Sequence, residues 1–256
     1  MTELQRTHVD VPTPDGSADS YFVRPVAGRH PAVLLFMDGI GLRPRIEDMA
    51  DRIAEQGYAV LAPNLFYRGG RAPVIPDIVE RLQTEDRAAV WGELRPLMTA
   101  LTPEVAARDT TAYVAFLDQQ PDVAPGPIAT TGYCMGGGLS LRVAAQLPDR
   151  VVAAASYHGG NLAPSDDEGP HLGAPRIRAE LYIAHADNDG SMPPEQIARL
   201  EAALDAAGVT YTSEVYDDAA HGFTMTDMPV YDEKAELRHW DALLGLLARR
   251  LPTGTG

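Results

Sequence analysis

The feature that most constrains this chain is an alternation of short apolar runs with longer amphipathic stretches. Ala32 to Met37 is continuously apolar after Pro31, and Tyr58 to Ala62, Ile128 to Gly132, Val151 to Tyr157, Glu180 to Ala184 and Tyr211 to Tyr216 read as further strands. Runs this short and apolar suit strands buried on both faces. Between them, Pro44 to Gln56 sets Ile46, Met49 and Ile53 on one helical face, with Gly57 beyond its end. Glu104 to Gln119, Leu139 to Gln146, Pro194 to Ala207 and Ala235 to Arg250 also read as helices, and Pro76 to Thr99 as a charged helical stretch interrupted by Pro96. This order implies an α/β chain with a mostly parallel central sheet covered by helices on both faces. Arg6 to Val11 and Asp19 to Arg24 are expected to pair as an antiparallel hairpin at the sheet edge. Asn161 to Pro175, rich in Pro, Gly and Asp, is expected to be a loop. A single domain over residues 1–251 is expected, with Pro252 to Gly256 as a flexible tail.

One motif lies where a strand hands over to a helix: Gly132-Tyr133-Cys134-Met135-Gly136. It has the spacing and context of the G-x-S-x-G turn, with cysteine in place of serine. The flanking glycines remove side chains that would clash in so sharp a reversal. The apex side chain is then exposed above a helix N-terminus, which favours a thiolate and, later, an oxyanion. Cys134 is the candidate nucleophile, and the Met135 N–H is the natural first oxyanion donor. A buried cysteine packed as a small hydrophobe is the bland alternative, which the flanking glycines and the strand–helix context disfavour.

Around such a turn the chain order is nucleophile, acid, histidine. Of the seven histidines, only His221 lies in a short loop between a late strand and the last helix, followed by Gly222. The acid is expected after the preceding strand, in Ala184-His185-Ala186-Asp187-Asn188-Asp189. Asp189 is favoured over Asp187, and both could instead be turn or capping carboxylates. Asp38-Gly39-Ile40-Gly41 follows the first apolar strand. This loop is expected to supply a second oxyanion N–H from Gly39 and to bring Asp38 near the thiol. The same four residues could also be a turn without chemistry.

Together these residues resemble the dienelactone hydrolase (carboxymethylenebutenolidase) family of the α/β-hydrolase superfamily. The likeness rests on Gly132 to Gly137, on Asp189 with Met192-Pro193, and on Ala220-His221-Gly222-Phe223, supported by Gln56 to Pro63 and Tyr157-His158-Gly159-Gly160. It implies an α/β-hydrolase fold with Cys134 as nucleophile, His221 as base and Asp189 as its partner. Two positions depart from the family pattern. A Glu-x-x-Gly segment near the cysteine is replaced by Asp38 and Gly41, one methylene shorter. A serine after the histidine and an arginine three positions further on, which serve a substrate carboxylate, are replaced by Gly222 and Met225. Ile40, Tyr133, Phe223 and Met225 are therefore expected to form an apolar substrate wall that favours neutral lactones or enol esters. Arg81 or Arg87 could still approach from the helical segment after Phe66.

Composition narrows the partners. The chain of 256 residues holds one cysteine, so no internal disulfide is possible and a reducing cytoplasm is expected. Its formal net charge of -15 comes with no basic patch or polybasic segment, so neither nucleic acid nor a membrane surface is an expected partner. No apolar run approaches the roughly 18 residues of a membrane helix, and no signal peptide is expected at Met1 to Asp10. No metal cluster or phosphate-binding glycine pattern is visible, so no cofactor is expected. The expected partner is a small ester or lactone, bound by a monomer or weak homo-oligomer. An esterase or thioesterase for another acyl substrate, and a non-catalytic thiol sensor, are the competing readings.

Overall fold

The computed structural model describes residues 2–165 and 168–254. Eight strands form one sheet: β1 (Leu4–Thr13), β2 (Gly16–Pro25), β3 (His30–Phe36), β4 (Ala59–Pro63), β5 (Val123–Tyr133), β6 (Val151–Tyr157), β7 (Glu180–Ala186) and β8 (Tyr211–Tyr216). Their order is β1-β2-β4-β3-β5-β6-β7-β8. β1 and β2 pair antiparallel along their whole length at the edge, and β2 pairs antiparallel with β4. Every pair from β4 through β3, β5, β6 and β7 to β8 is parallel. The central runs are buried from end to end, as in β3 and β4, because helices cover both faces.

The helices are α1 (Pro44–Ala54), α2 (Ile78–Thr84), α3 (Arg87–Ala100), α4 (Pro103–Asp118), α5 (Met135–Gln146), α6 (Pro194–Ala207) and α7 (Glu233–Arg250). Their limits follow local chemistry. Thr102 caps α4 ahead of Pro103 in the first turn, and Asp232 caps α7 by accepting from the Ala235 N–H at 2.7 Å. α7 carries Glu233 and Glu236 in its first turn and Arg249 and Arg250 in its last, which matches the helix dipole.

Two expectations are corrected. The helical stretch from Pro76 to Thr99 is broken at Glu85 and Asp86, and not at Pro96. Asp86 accepts from the Ala88 N–H at 3.0 Å and starts α3 afresh. Pro96 and Gly92 are solvent-exposed, so the carbonyl that Pro96 leaves without an amide partner is open to water and the helix runs on to Ala100. The expected loop from Asn161 to Pro175 holds a 3-10 turn at Pro170–Arg176. In the expected tail, Thr253 lies close beside Gly57, while residues 255–256 lie outside the described residues.

Because β3, β5, β6, β7 and β8 are parallel neighbours, the loops after them gather at one edge of the sheet. Those loops hold Asp38, Cys134, His158, Asp189 and His221. The tightest packing lies just beneath that edge. A Cβ on Gly132 would sit 1.9 Å from the Gly136 carbonyl oxygen, and one on Gly136 would sit 2.3 Å from that of Phe36. Both clashes are with backbone, which cannot rotate away. Gly132→Ala should therefore destabilise the fold by about 3 kcal/mol or more. Gly92→Ala, where a Cβ meets nothing within 4 Å inside α3, should stabilise it by up to about 1 kcal/mol. Urea unfolding midpoints of the two variants check the contrast.

Candidate active site

Cys134 stands between β5 and α5 with φ 54° and ψ −117°, a left-handed conformation that costs a non-glycine residue about 1–3 kcal/mol. Its backbone is pinned from both sides. The Cys134 N–H donates to the Tyr157 carbonyl at 3.0 Å, and the Cys134 carbonyl accepts from the Gly137 N–H at 3.0 Å. The side chain, half-buried, borders a cavity of about 490 Å³. Met135 is the first residue of α5, so its N–H has no intrahelical acceptor and stands beside the sulfur.

His221 Nδ1 lies 2.6 Å from Asp189 Oδ2, and the imidazole also hydrogen-bonds Cys134. Asp189 is itself held. Its Oδ1 accepts from the Ser191 N–H at 2.8 Å and the Ser191 hydroxyl at 2.7 Å. Asp187 is turned elsewhere, accepting from the Asp218 N–H at 3.2 Å. Burial opposes a charge on His221, but hydrogen bonds to Asp189 and Cys134, with their negative charge, push its pKa up to about 10. Burial likewise opposes the Asp189 carboxylate, yet His221 and Ser191 bring its pKa down to about 2. The His221 contribution to stability is complete below its unfolded pKa near 6.5 and is lost as pH rises through about 10. The Asp189 contribution is present above its unfolded pKa near 3.9 and is lost as pH falls through about 2.

His158 stands beside His221. Its ring meets that of His221 edge-on at 5.3 Å between centroids, and its Nε2 lies 2.8 Å from Thr224 Oγ1. Complete burial, with the charges of His221 and His239 nearby, holds its pKa well below the ordinary value, so it is neutral at neutral pH. The titration of His221 is thus set by Asp189 and Cys134 rather than by His158. In Asp189→Asn, the His221 NMR titration midpoint should fall from about 10 toward the ordinary value near 6.5.

Asp38 borders a second, smaller cavity of about 60 Å³ together with Gly39, Ile40, Cys134 and His221. Its carboxylate is already engaged. Arg43 Nη1 and Nη2 grip the two oxygens at 2.7 and 3.0 Å, and the Ile40 N–H donates to Oδ1 at 2.9 Å. Arg43, also buried, reaches Asp227 with Nε at 2.6 Å and the Met225 sulfur with Nη2 at 3.4 Å. It therefore ties the loop after β3 to the segment after His221. Removing one member of a buried ion cluster leaves uncompensated charge. Arg43→Met should destabilise the protein by about 3–5 kcal/mol in urea unfolding, because Asp38 and Asp227 then face each other unneutralised.

Ile40 and Met225 line the smaller cavity. Tyr133 and Phe223 do not line either cavity and are corrected as wall residues. Both are fully buried in the core. The turn at Cys134 sends the Tyr133 ring away from the cleft toward α7, where its hydroxyl lies 2.9 Å from His239 Nε2. Phe223 stacks on Tyr216 and meets the His158 ring edge-on. Arg87 and Trp91 of α3 complete the smaller cavity. Arg87 is exposed and has no carboxylate within ion-pairing distance among the described residues, whereas Arg81 grips Glu85 and Glu93. Ser191, Arg43 and Trp91 were not singled out from the sequence, and His158 entered only through the family likeness. Ser191, two residues after Asp189, had the spacing of a carboxylate-centred turn. No comparable signal marked Arg43.

An eight-stranded, mostly parallel sheet, with a cysteine on the turn between strand and helix and an acid and a histidine on later loops, defines an α/β-hydrolase. The sequence profile of the Dienelactone hydrolase family matches residues 18–251, and the chain belongs to that family of hydrolases. A Synechocystis sp. protein named "Putative carboxymethylenebutenolidase" is 27% identical over 97% of this chain and 98% of its own length. Among solved structures, a "Putative Dienelactone Hydrolase" from Klebsiella pneumoniae superposes with a TM-score of 0.82 at 22% identity, covering 96% of this chain and 99% of that one. A dienelactone hydrolase-like promiscuous phosphotriesterase from metagenomic libraries superposes with a TM-score of 0.77 at 23% identity, covering 98% of this chain and 99% of the other.

Proposed function

We propose that the protein hydrolyses a small lactone or activated ester through a Cys134 acyl-enzyme. The observation that carries this reading is the contiguous line from Asp189 through His221 to Cys134, with the sulfur at the end that opens to the cleft. With the proton shared by Cys134 and His221 resting on the imidazole, whose pKa is about 10, the Cys134 thiolate attacks the carbonyl carbon. The carbonyl π pair moves onto oxygen, which is stabilised by the N–H groups of Met135 and Gly39. Collapse expels an alkoxide or enolate, which takes the proton from His221. The neutral imidazole then removes a proton from water as its oxygen attacks the thioester, and the Cys134 thiolate leaves. Asp189 holds His221 in the tautomer this requires.

The leaving group limits the substrate. A thiolate is expelled more readily than an alkoxide, so the tetrahedral intermediate of a plain alkyl ester reverts. Enol esters and lactones with stabilised leaving groups go forward. Asp38 is read as a structural carboxylate held by Arg43 and not as a proton carrier for the thiol. Arg87 gives the smaller cavity a cation that positions 222 and 225 lack, so the expectation that neutral substrates are preferred is withdrawn.

One equivalent of iodoacetamide should abolish hydrolysis of an enol ester without unfolding the protein, since Cys134 is the only thiol. Full activity after alkylation would end the reading. Asp189→Asn should lower kcat by at least about 100-fold, whereas Asp187→Asn should cost little, because Asp187 only accepts a loop N–H. Steady-state rates on one substrate rank the two.

A further inference from the structure

The cleft does not stop at the sulfur. The 490 Å³ cavity holding Cys134, Asp189 and His221 adjoins a second of about 760 Å³, and the two share Leu101, Pro103, Leu139, Arg142, Glu168 and Pro170. The floor is one face of α5. Met135, Gly138, Leu139 and Arg142 recur at the spacing that brings residues to one side of a helix. The absence of a side chain at Gly138 widens the passage, and a Cβ there would meet only Leu162 and Pro170, at 3.6 Å. Near Cys134 the walls are mostly apolar. Further along they become polar, with Glu104, Thr110, Gln146, Glu168 and Arg176. Each space is within the roughly 300–1,000 Å³ of sites that enclose a drug-sized ligand.

At the junction stands Arg142. Its guanidinium is half-buried and donates to the Glu168 carbonyl, with no carboxylate within ion-pairing distance among the described residues. Arg68 and Arg150, by contrast, each grip an aspartate. Burial pulls the Arg142 pKa below its ordinary value, opposed by the more distant charges of Glu104 and Glu168. A planar fork with open donors, set between Leu139 and Pro170 and flanked by Glu104 and Glu168, matches the carboxylate of a ligand. Arg142 lies eight positions after Cys134, roughly 12 Å at the helical rise, and helical side chains lean back toward the N-terminus. An extended chain gains roughly 1.2 Å per bond, so about six to ten carbons span the gap. An acyl group bonded to the sulfur begins its chain at Cys134, where the groove begins.

We propose that this groove is an acyl-arm site, and that the protein acts on activated monoesters of aliphatic dicarboxylic acids whose far carboxylate is received by Arg142. The proposal rests on Cys134 carrying the acyl group and specifies which acyl group it carries.

The test uses aryl monoesters of dicarboxylic acids from four to ten carbons, each beside its methyl-capped counterpart, at matched ionic strength. With a common leaving group, kcat/KM for the free acids should peak near eight carbons. There it should exceed the methyl-capped ester by about tenfold, the scale of one charge-assisted hydrogen bond. In Arg142→Met that ratio should fall to near one, and Arg142→Lys should restore part of it. Calorimetry on the Cys134→Ala protein gives a readout without turnover: suberic acid monomethyl ester should bind, and the additional Arg142→Met change should weaken it by about the same factor. A flat length profile, or a ratio unchanged in Arg142→Met, overturns the groove assignment. If those results come with hydrolysis that iodoacetamide abolishes, the Cys134 reading stands and the groove alone fails. Hydrolysis that survives alkylation removes the acyl-enzyme instead.

Discussion

The structure turns on the backbone contact between the ends of β3 and β5 and the first turn of α5. That contact is so close that positions 132 and 136 admit no side chain, the nearest carbonyl oxygens standing 1.9 and 2.3 Å from where a Cβ would be. Between them the chain has to reverse within one residue, and Cys134 takes the left-handed conformation that completes the turn. The strain at one residue is offset by the packing of a whole helix against the sheet. The same geometry lifts the sulfur out of the core and leaves the first N–H groups of α5 facing whatever sits on it. In the proposed reaction, nucleophile and oxyanion donor thus come from one constraint.

The groups around the sulfur are fixed by two charge assemblies of different kind. Asp189 and His221 form a partly exposed pair whose mutual stabilisation shifts both pKa values away from neutrality, one down and one up. Asp38, Arg43 and Asp227 form a buried cluster that moves no proton in the proposed reaction. It joins the loop carrying Gly39 to the segment carrying Met225, two pieces that arrive from opposite ends of the chain. Arg45 adds a second tie from α1, donating to the Thr224 carbonyl and to Glu236. These ties hold the loop carrying Gly39 and the segment following His221 together.

Much of this was legible in the sequence, because periodicity and glycine spacing are local. The apolar runs from Ala32 to Met37 and from Val151 to Tyr157 gave strands, and the edge hairpin followed from the first two segments. Cys134 stood out because the chain around it could turn in only one way. Asp189 was distinguishable from Asp187 only by its distance from Met192-Pro193, and the structure sets Asp189 against His221. What stayed hidden was non-local or directional. Arg43 reads as a surface charge until β3 and the segment after His221 are brought together. Tyr133 looked like a wall residue because it adjoins Cys134, but the turn points neighbouring side chains in opposite directions. The break before α3 lay in the capping carboxylate of Asp86, a weaker mark than Pro96 and the one that decided the boundary.

The account's central claim is that the acyl group passes through a covalent bond to Cys134. It is tested most directly by rapid acid quench during turnover of a slowly hydrolysed enol ester, followed by mass spectrometry of the intact protein and its peptides. The account predicts a transient mass increase equal to the acyl group, confined to the peptide containing Cys134 and discharged by hydroxylamine. Turnover at an undiminished rate with no adduct on that peptide, or with the adduct on another side chain, would contradict it.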